Sequence, residues 1–201
     1  IVNSDDIFEK LLDKEGLSLK MPESEKEPRD VVRAKAKRLT SAKKANFIEG
    51  RLGLIIDGTG KDYDKIAGQA TKLKQLGYDV HMIFVNTSLD VALERNAKRA
   101  RTVPESIAIK SWNDVQRNIG KFSQYFRQNF VVVDNNDPLK NDGQIFNSVF
   151  KQIKSLANKR IYNKIAYKWI GDELRRRGIQ GATPANVHSF RKKAVKGYGQ
   201  R

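Results

Sequence analysis

The sequence predicts an α/β fold: a parallel sheet flanked by helices, followed by a basic, all-helical carboxyl-terminal appendage. Three observations lead there. Apolar runs of strand length at 52–56, 80–85 and 130–133 alternate with helix-length segments whose apolar residues recur every three or four positions. Each run ends in a polar or glycine-rich turn, and ligands of open parallel sheets sit at such carboxyl ends. The charge is divided unevenly. Of a net +16, residues 151–201 hold fourteen Lys/Arg against two acids, whereas residues 1–150 hold 25 against 21.

Taken in order, residues 1–3 read as the end of a strand, and Ser4 or Asp5 can cap a helix over 6–14. Residues 15–30, with Pro22 and Pro28, read as a loop, and 31–49 as a basic helix turning Val32, Ala36, Leu39 and Phe47 inward. Gly50 and Gly53 bracket a break before 52–57, an almost wholly apolar run suited to a strand buried on both faces. Gly58-Thr59-Gly60 turns the chain off that strand, and 62–76 follow as a helix with Gly77 as its cap. Next come a strand (78–85), the turn Asn86-Thr87-Ser88, a basic helix (89–100) and a long helix (104–126) with Ile107, Ile109, Val115, Ile119 and Phe122 on one side. A strand (130–134), its turn (135–138) and a helix (143–156) complete the body.

The appendage reads as helix, turn, helix over 158–196. Ile161, Ile165, Trp169 and Leu174 have buried-face spacing, and Arg175-Arg176-Arg177-Gly178 ends the first helix. Thr183-Pro184 opens a second, over 185–195, with Val187, Phe190 and Ala194 inward. Its outer face offers Asn186, His188, Arg191, Lys192 and Lys193. With Arg175, Arg176 and Arg177, these suit a nucleic-acid reading head, polar groups for base edges and cations for phosphates. The competing readings are a helical hairpin packed on the body, a surface that docks another protein in an assembly, and a solvated basic tail.

Composition narrows the classes. There is no Cys, which removes disulfides and thiolate metal sites and leaves the cytoplasm as the default location. His81 and His188 are far apart in sequence, so no zinc site is expected. No stretch is apolar enough for a membrane span or a signal peptide, so no membrane partner is expected.

The chemistry-bearing segments lie in the body. Glu94-Arg95-Asn96-Ala97-Lys98-Arg99-Ala100-Arg101-Thr102-Val103-Pro104 sets four cations on about two turns. On one helix, Arg95 and Arg99 share a face, and two guanidinium forks suit the oxygens of a transferring phosphoryl group. Glu94 and Lys98 have the spacing of an ordinary helix pair. Asp5 can accept a proton from a hydroxyl nucleophile, or simply cap its helix. Asp57 can hold magnesium, or be a solvent-facing turn residue. Gly58 and Gly60 let the backbone approach a ligand.

These segments meet known families. Val2-Asn3-Ser4-Asp5-Asp6 resembles the general-base segment of phage-type polynucleotide 5′-kinases, and Glu94–Arg99 with Val103-Pro104 is similar to their lid. Leu54-Ile55-Ile56-Asp57-Gly58-Thr59-Gly60 resembles the acidic-Gly-Thr-Gly turn of the zeta-toxin branch of P-loop kinases. The resemblance spans roughly residues 1–136. It implies a three-layer P-loop kinase-like domain over 1–157, with 158–201 as the basic tail. ATP and Mg are the implied cofactors: Asp5 as general base, Arg95 and Arg99 as catalytic phosphate clamps, and Asp57, Gly58 and Thr59 at the nucleotide and its metal. It also suggests a phage setting, in host cytoplasm or virion. Phe8 stands where the polynucleotide kinases carry an acceptor-phosphate Arg, and the acid at 57 comes one position early.

The 201 residues contain no G-x-x-x-x-G-K-[ST]; Gly58-Thr59-Gly60-Lys61 is too short and Asp62 follows it. In these kinases the phosphate loop precedes the segment that here begins at Ile1. The expectation is therefore a loop upstream of Ile1, or a scaffold without ATP chemistry, and no useful kinase activity from these residues alone. Three functions compete: an ATP-dependent kinase of a nucleic-acid 5′-hydroxyl, a zeta-toxin-like kinase of a nucleotide sugar, and a non-catalytic nucleic-acid-binding or phage assembly protein.

Overall fold

The computed structural model describes residues 1–136, 138–159, 162–181 and 183–186. The elements run α1 (Asp5–Lys14), α2 (Lys26–Glu49), α3 (Tyr63–Gln75), β1 (Met82–Asn86), α4 (Leu89–Lys98), α5 (Glu105–Phe126), β2 (Phe130–Asp134), α6 (Pro138–Asn158) and α7 (Lys164–Arg176). The fold is mixed α/β, mostly helical, with one small parallel two-stranded sheet among the described residues. The chain divides into two compact units, Ile1–Asp62 with Ser88–Ile119, and Tyr63–Thr87 with Gly120–Arg201.

In the first unit, α1 presents Phe8 and Leu12 to Val32 and Ala36 of α2, and all four are buried. Complete burial of Phe8 and Leu12 contributes about 1.5–3 kcal/mol each. Gly16, at φ +68°, ends α1 by letting the Leu17 amide reach the Leu12 carbonyl at 2.9 Å. The expected loop over 15–30 is shorter in the structure. A 3-10 turn at Glu23–Glu25 leads into α2, and Pro28 sits in its first turn, where a missing N–H leaves no bond broken. At the other end of α2 the left-handed residue is Arg51 (φ +50°), not either flanking glycine, and it directs the Leu52 amide to the Phe47 carbonyl.

The run at 52–57 differs from expectation. It pairs with the chain start through one parallel bridge, Val2 with Ile56. The Val2 amide donates to the Ile55 carbonyl at 2.8 Å, and the Asp57 amide to the Val2 carbonyl at 3.0 Å. Val2 is buried, but Leu52 and Ile55 are exposed, so the run is not a strand buried on both faces.

In the second unit, β1 and β2 pair in parallel from Met82 with Phe130 to Asn86 with Asp134. Phe84, Phe122, Phe126 and Phe130 cluster beneath the strands, with Tyr63 against Phe122. The other face is open at Ile83 and Val85. The Tyr125 hydroxyl bonds Thr71 and the Ala67 carbonyl, tying the last turn of α5 to α3. Gly77 caps α3 as expected, at φ +92°, with the Tyr78 amide on the Leu73 carbonyl. α7 also packs against it: a Cβ there would lie 2.7 Å from the Ala166 nitrogen. α6 begins at Pro138, five residues before the expected start.

Candidate functional site

The first unit gathers the base-like and metal-like carboxylates through one carboxamide. The Val2–Ile56 bridge sets two chain turns side by side, one leading to Asp5 and one to Asp57. Asn3 joins them: its Oδ1 accepts the Asp5 amide at 2.7 Å, and its Nδ2 donates to Asp57 Oδ2 at 2.9 Å. Ser4, an expected cap, has helical backbone angles and its side chain makes no capping bond. Asp5 is half-buried and Asp57 exposed.

The glycine turn after Asp57 is held from α5. Gly60 adopts φ +77°, and its carbonyl and that of Lys61 accept the Asn118 carboxamide at 3.1 and 3.0 Å. Asn118 is 7% exposed and is the one buried polar side chain among the described residues. Its sequence signal was a polar residue at core spacing between Val115 and Phe122.

The arginine segment departs from expectation. Ser88 caps α4 through the Val91 amide, and Glu94 and Lys98 form the anticipated pair, which holds the Glu94 carboxyl below its ordinary range. The helix stops at Lys98, however. Asn96 Nδ2 donates to the Val103 carbonyl at 2.8 Å, and Asn96 Oδ1 accepts the Val103 amide at 3.0 Å. A side chain that satisfies distant backbone in this way competes with helix continuation. Arg99 is left extended (φ −75°, ψ 148°) and exposed, so Arg95 and Arg99 do not share a helix face. Arg95 is half-buried on the last turn.

The cation brought to Asp5 is instead Arg101. Its Nη2 lies 2.8 Å from Asp5 Oδ2, and its Nε donates to Glu9 Oε1 at 2.9 Å. Asp5 and Glu9 are four apart on α1, so one guanidinium spans both. The Arg101 side chain is 20% exposed. Neither this pairing nor the Asn96 clasp has a local sequence signal, because both join residues distant along the chain or outside a regular element.

The basic stretch of the second unit is locally occupied. Asp172 pairs with Lys168 and Arg175, and Glu173 with Arg176 and Arg177. Hydrogen bonds from Arg176 and Arg177 pull the Glu173 carboxyl down to about 2. Asn186 folds back, accepting the Thr183 amide at 2.6 Å and donating to the Gly181 carbonyl at 3.0 Å, so its carboxamide is engaged within its own turn. His188, Arg191, Lys192 and Lys193, with Ile161, Val187, Phe190 and Ala194, lie outside the described residues.

Among the described residues no three potential metal-ligating side chains cluster. Magnesium in phosphate chemistry takes one or two carboxylates, with water and substrate oxygens completing its shell. Asp57, exposed and with Oδ2 accepting from Asn3, offers a single carboxylate of that kind. No described helix is long and apolar enough to cross a membrane.

No curated protein and no solved structure matches the chain. The family model for zeta toxin matches residues 18–144, a span that holds Asp57, the glycine turn, α4 and Arg101 and leaves Asp5 just outside. That span is more than half the sequence, and the family is kinase-like and nucleotide-binding: the chain belongs to the zeta toxin family.

Proposed function

We propose that this chain forms the acceptor and lid part of an ATP-dependent phosphotransferase, with a nucleotide sugar as the leading acceptor. The observation that carries this is the convergence on Asp5. Asn3 fixes its amide and Arg101 its carboxylate, while Asn3 also reaches Asp57. Asp5 accepts the proton of the acceptor hydroxyl as the oxygen attacks. Arg95, and Arg99 once the segment turns inward, hold nucleotide phosphate oxygens and offset charge during transfer. Asp57 and the turn through Gly58 and Thr59 would hold magnesium with ATP, which supplies the transferable phosphoryl group. The reaction also requires a phosphate cradle, which the 201 residues do not supply as G-x-x-x-x-G-K-[ST].

The second reading, a nucleic-acid 5′-hydroxyl acceptor held by a basic tail, is favoured by the charge of residues 151–201. It is weakened where both acids of that stretch already pair with Arg175, Arg176 and Arg177. The test is transfer from radiolabelled ATP by the protein isolated from its source, with UDP-glucose and a 5′-hydroxyl oligonucleotide as separate acceptors. Label on the sugar nucleotide is the expected result, reduced about 10²–10⁴-fold by Asp5→Asn. Label on the oligonucleotide selects the second reading. No label on either overturns the enzyme and leaves the scaffold protein.

A further inference from the structure

Arg33 has two other guanidinium groups within electrostatic reach, and both of those have partners. Arg101 is shared by Asp5 and Glu9, and Arg29 donates to the Pro22 carbonyl at 2.9 Å. The third, Arg33 of α2, sits over the Phe8 ring, its central carbon 3.9 Å from the centroid. Stacking occupies the face of a guanidinium and leaves its edge donors pointing outward in the ring plane. Among the described residues no hydrogen bond or ion pair is made by those donors. The side chain is half-buried, and Phe8 beneath it is 1% exposed, so the stack is anchored on the core. Burial is the main influence lowering the Arg33 pKa; Asp5 and Asp30 oppose it, and Arg101 and Arg29 add to it. The neighbouring carboxylates are therefore Asp5, gripped by Arg101, and the exposed Asp30.

A planar donor fork, pre-oriented by a buried ring and unmet by acceptors among the described residues, is complementary to an oxyanion. We propose that Arg33, stacked on Phe8 beside Asp5, binds a phosphate group carried by the molecule whose hydroxyl Asp5 faces. This rests on the reading of Asp5 as the acceptor-side base. It makes Arg33 a specificity determinant: hydroxyl compounds bearing a phosphate near the reacting oxygen are selected over those without one. A nucleotide sugar and an oligonucleotide both carry that group.

The experiment is equilibrium binding to the full chain without ATP, using UDP-glucose, a 5′-hydroxyl tetrathymidylate and inorganic phosphate, with the Phe8 ring signals followed by NMR. The expected result is binding of a phosphate-bearing probe that shifts the Phe8 resonances and weakens at least tenfold in Arg33→Gln. Arg33→Lys, which keeps the charge and loses the fork, falls between, and the exposed Arg38→Gln changes affinity less than twofold. The stronger of UDP-glucose and tetrathymidylate identifies the source of the phosphate. Equal affinity of Arg33→Gln and the parent chain, Phe8 signals that do not move, or no binding of any probe would overturn the proposal. Because no ATP is present, failure here leaves phosphoryl transfer standing, and failure of transfer leaves this site standing.

Discussion

Arginine–carboxylate pairs occur in both units of the molecule, and they do different things. Arg101 reaches Glu9 across 92 positions and spans it together with Asp5. Arg175, Arg176 and Arg177, themselves exposed, hold acids three or four residues away at the end of the same helix. The first kind fixes tertiary position; the second stabilises a helix and partly neutralises it. The glycines repeat the lesson. Gly77 and Gly178 both take a left-handed backbone after a helix, but only Gly77 has another element against it. A cluster of charge in the sequence is thus a poor guide to a site unless its partners come from elsewhere in the chain.

The largest expected effect comes from Gly77→Ala. The left-handed backbone and a Cβ 2.7 Å from the Ala166 nitrogen together destabilise by about 2–4 kcal/mol, a fall in Tm of roughly 5–15 °C. Gly178→Ala, with nothing within 4 Å, carries only the backbone term of about 1 kcal/mol; equal losses at the two positions would break the distinction. Next is Arg101→Ala. It leaves two half-buried carboxylates facing each other and is expected to cost about 1–2 kcal/mol, between exposed and buried pairs. Arg176→Ala, which removes an exposed helix pair, lowers Tm by less than about 3 °C in the same calorimetric scan.

The smallest effect is a pH response in α7. The folded Glu173 carboxyl sits at about 2 against an ordinary 4.5. A depressed carboxyl stabilises the folded state above the ordinary value, and that contribution fades as pH falls from there through about 2. A carboxyl-detected NMR titration is expected to show Glu173 midway near 2, moving upward in 1 M NaCl. A midpoint near 4.5 in low salt would show that Arg176 and Arg177 do not hold it.

Much of this was legible in the sequence wherever the cause is local. The helices around Phe8, Leu73 and Phe122 follow from apolar spacing, and Gly77 and Gly178 from helix-end chemistry. Asp5 and Asp57 were readable as neighbours because both leave strand-like runs at their carboxyl ends. Arg99 was misplaced on a helix face because spacing cannot reveal that Asn96 clasps Val103 and halts the helix. The run at 52–57 shows the matching limit: apolar composition reports what a strand can bury, whereas Leu52 and Ile55 stay exposed where, among the described residues, one bridge forms beside them. Arg101, Asn118 and Arg33 were passed over for the same reason, since each has its meaning from a partner far along the chain.

Asn3 carries a consequence of another kind. Its carboxamide is used in one orientation only, oxygen toward the Asp5 amide and nitrogen toward the Asp57 carboxylate. Aspartate has nearly the same shape and accepts the first bond equally well, but it would turn the second into two carboxylates at contact distance. Exchange between these two look-alike residues is therefore opposed at this position by polarity rather than by size, and a substitution scale that treats them as near equivalents would rank a disruptive change among the mild ones.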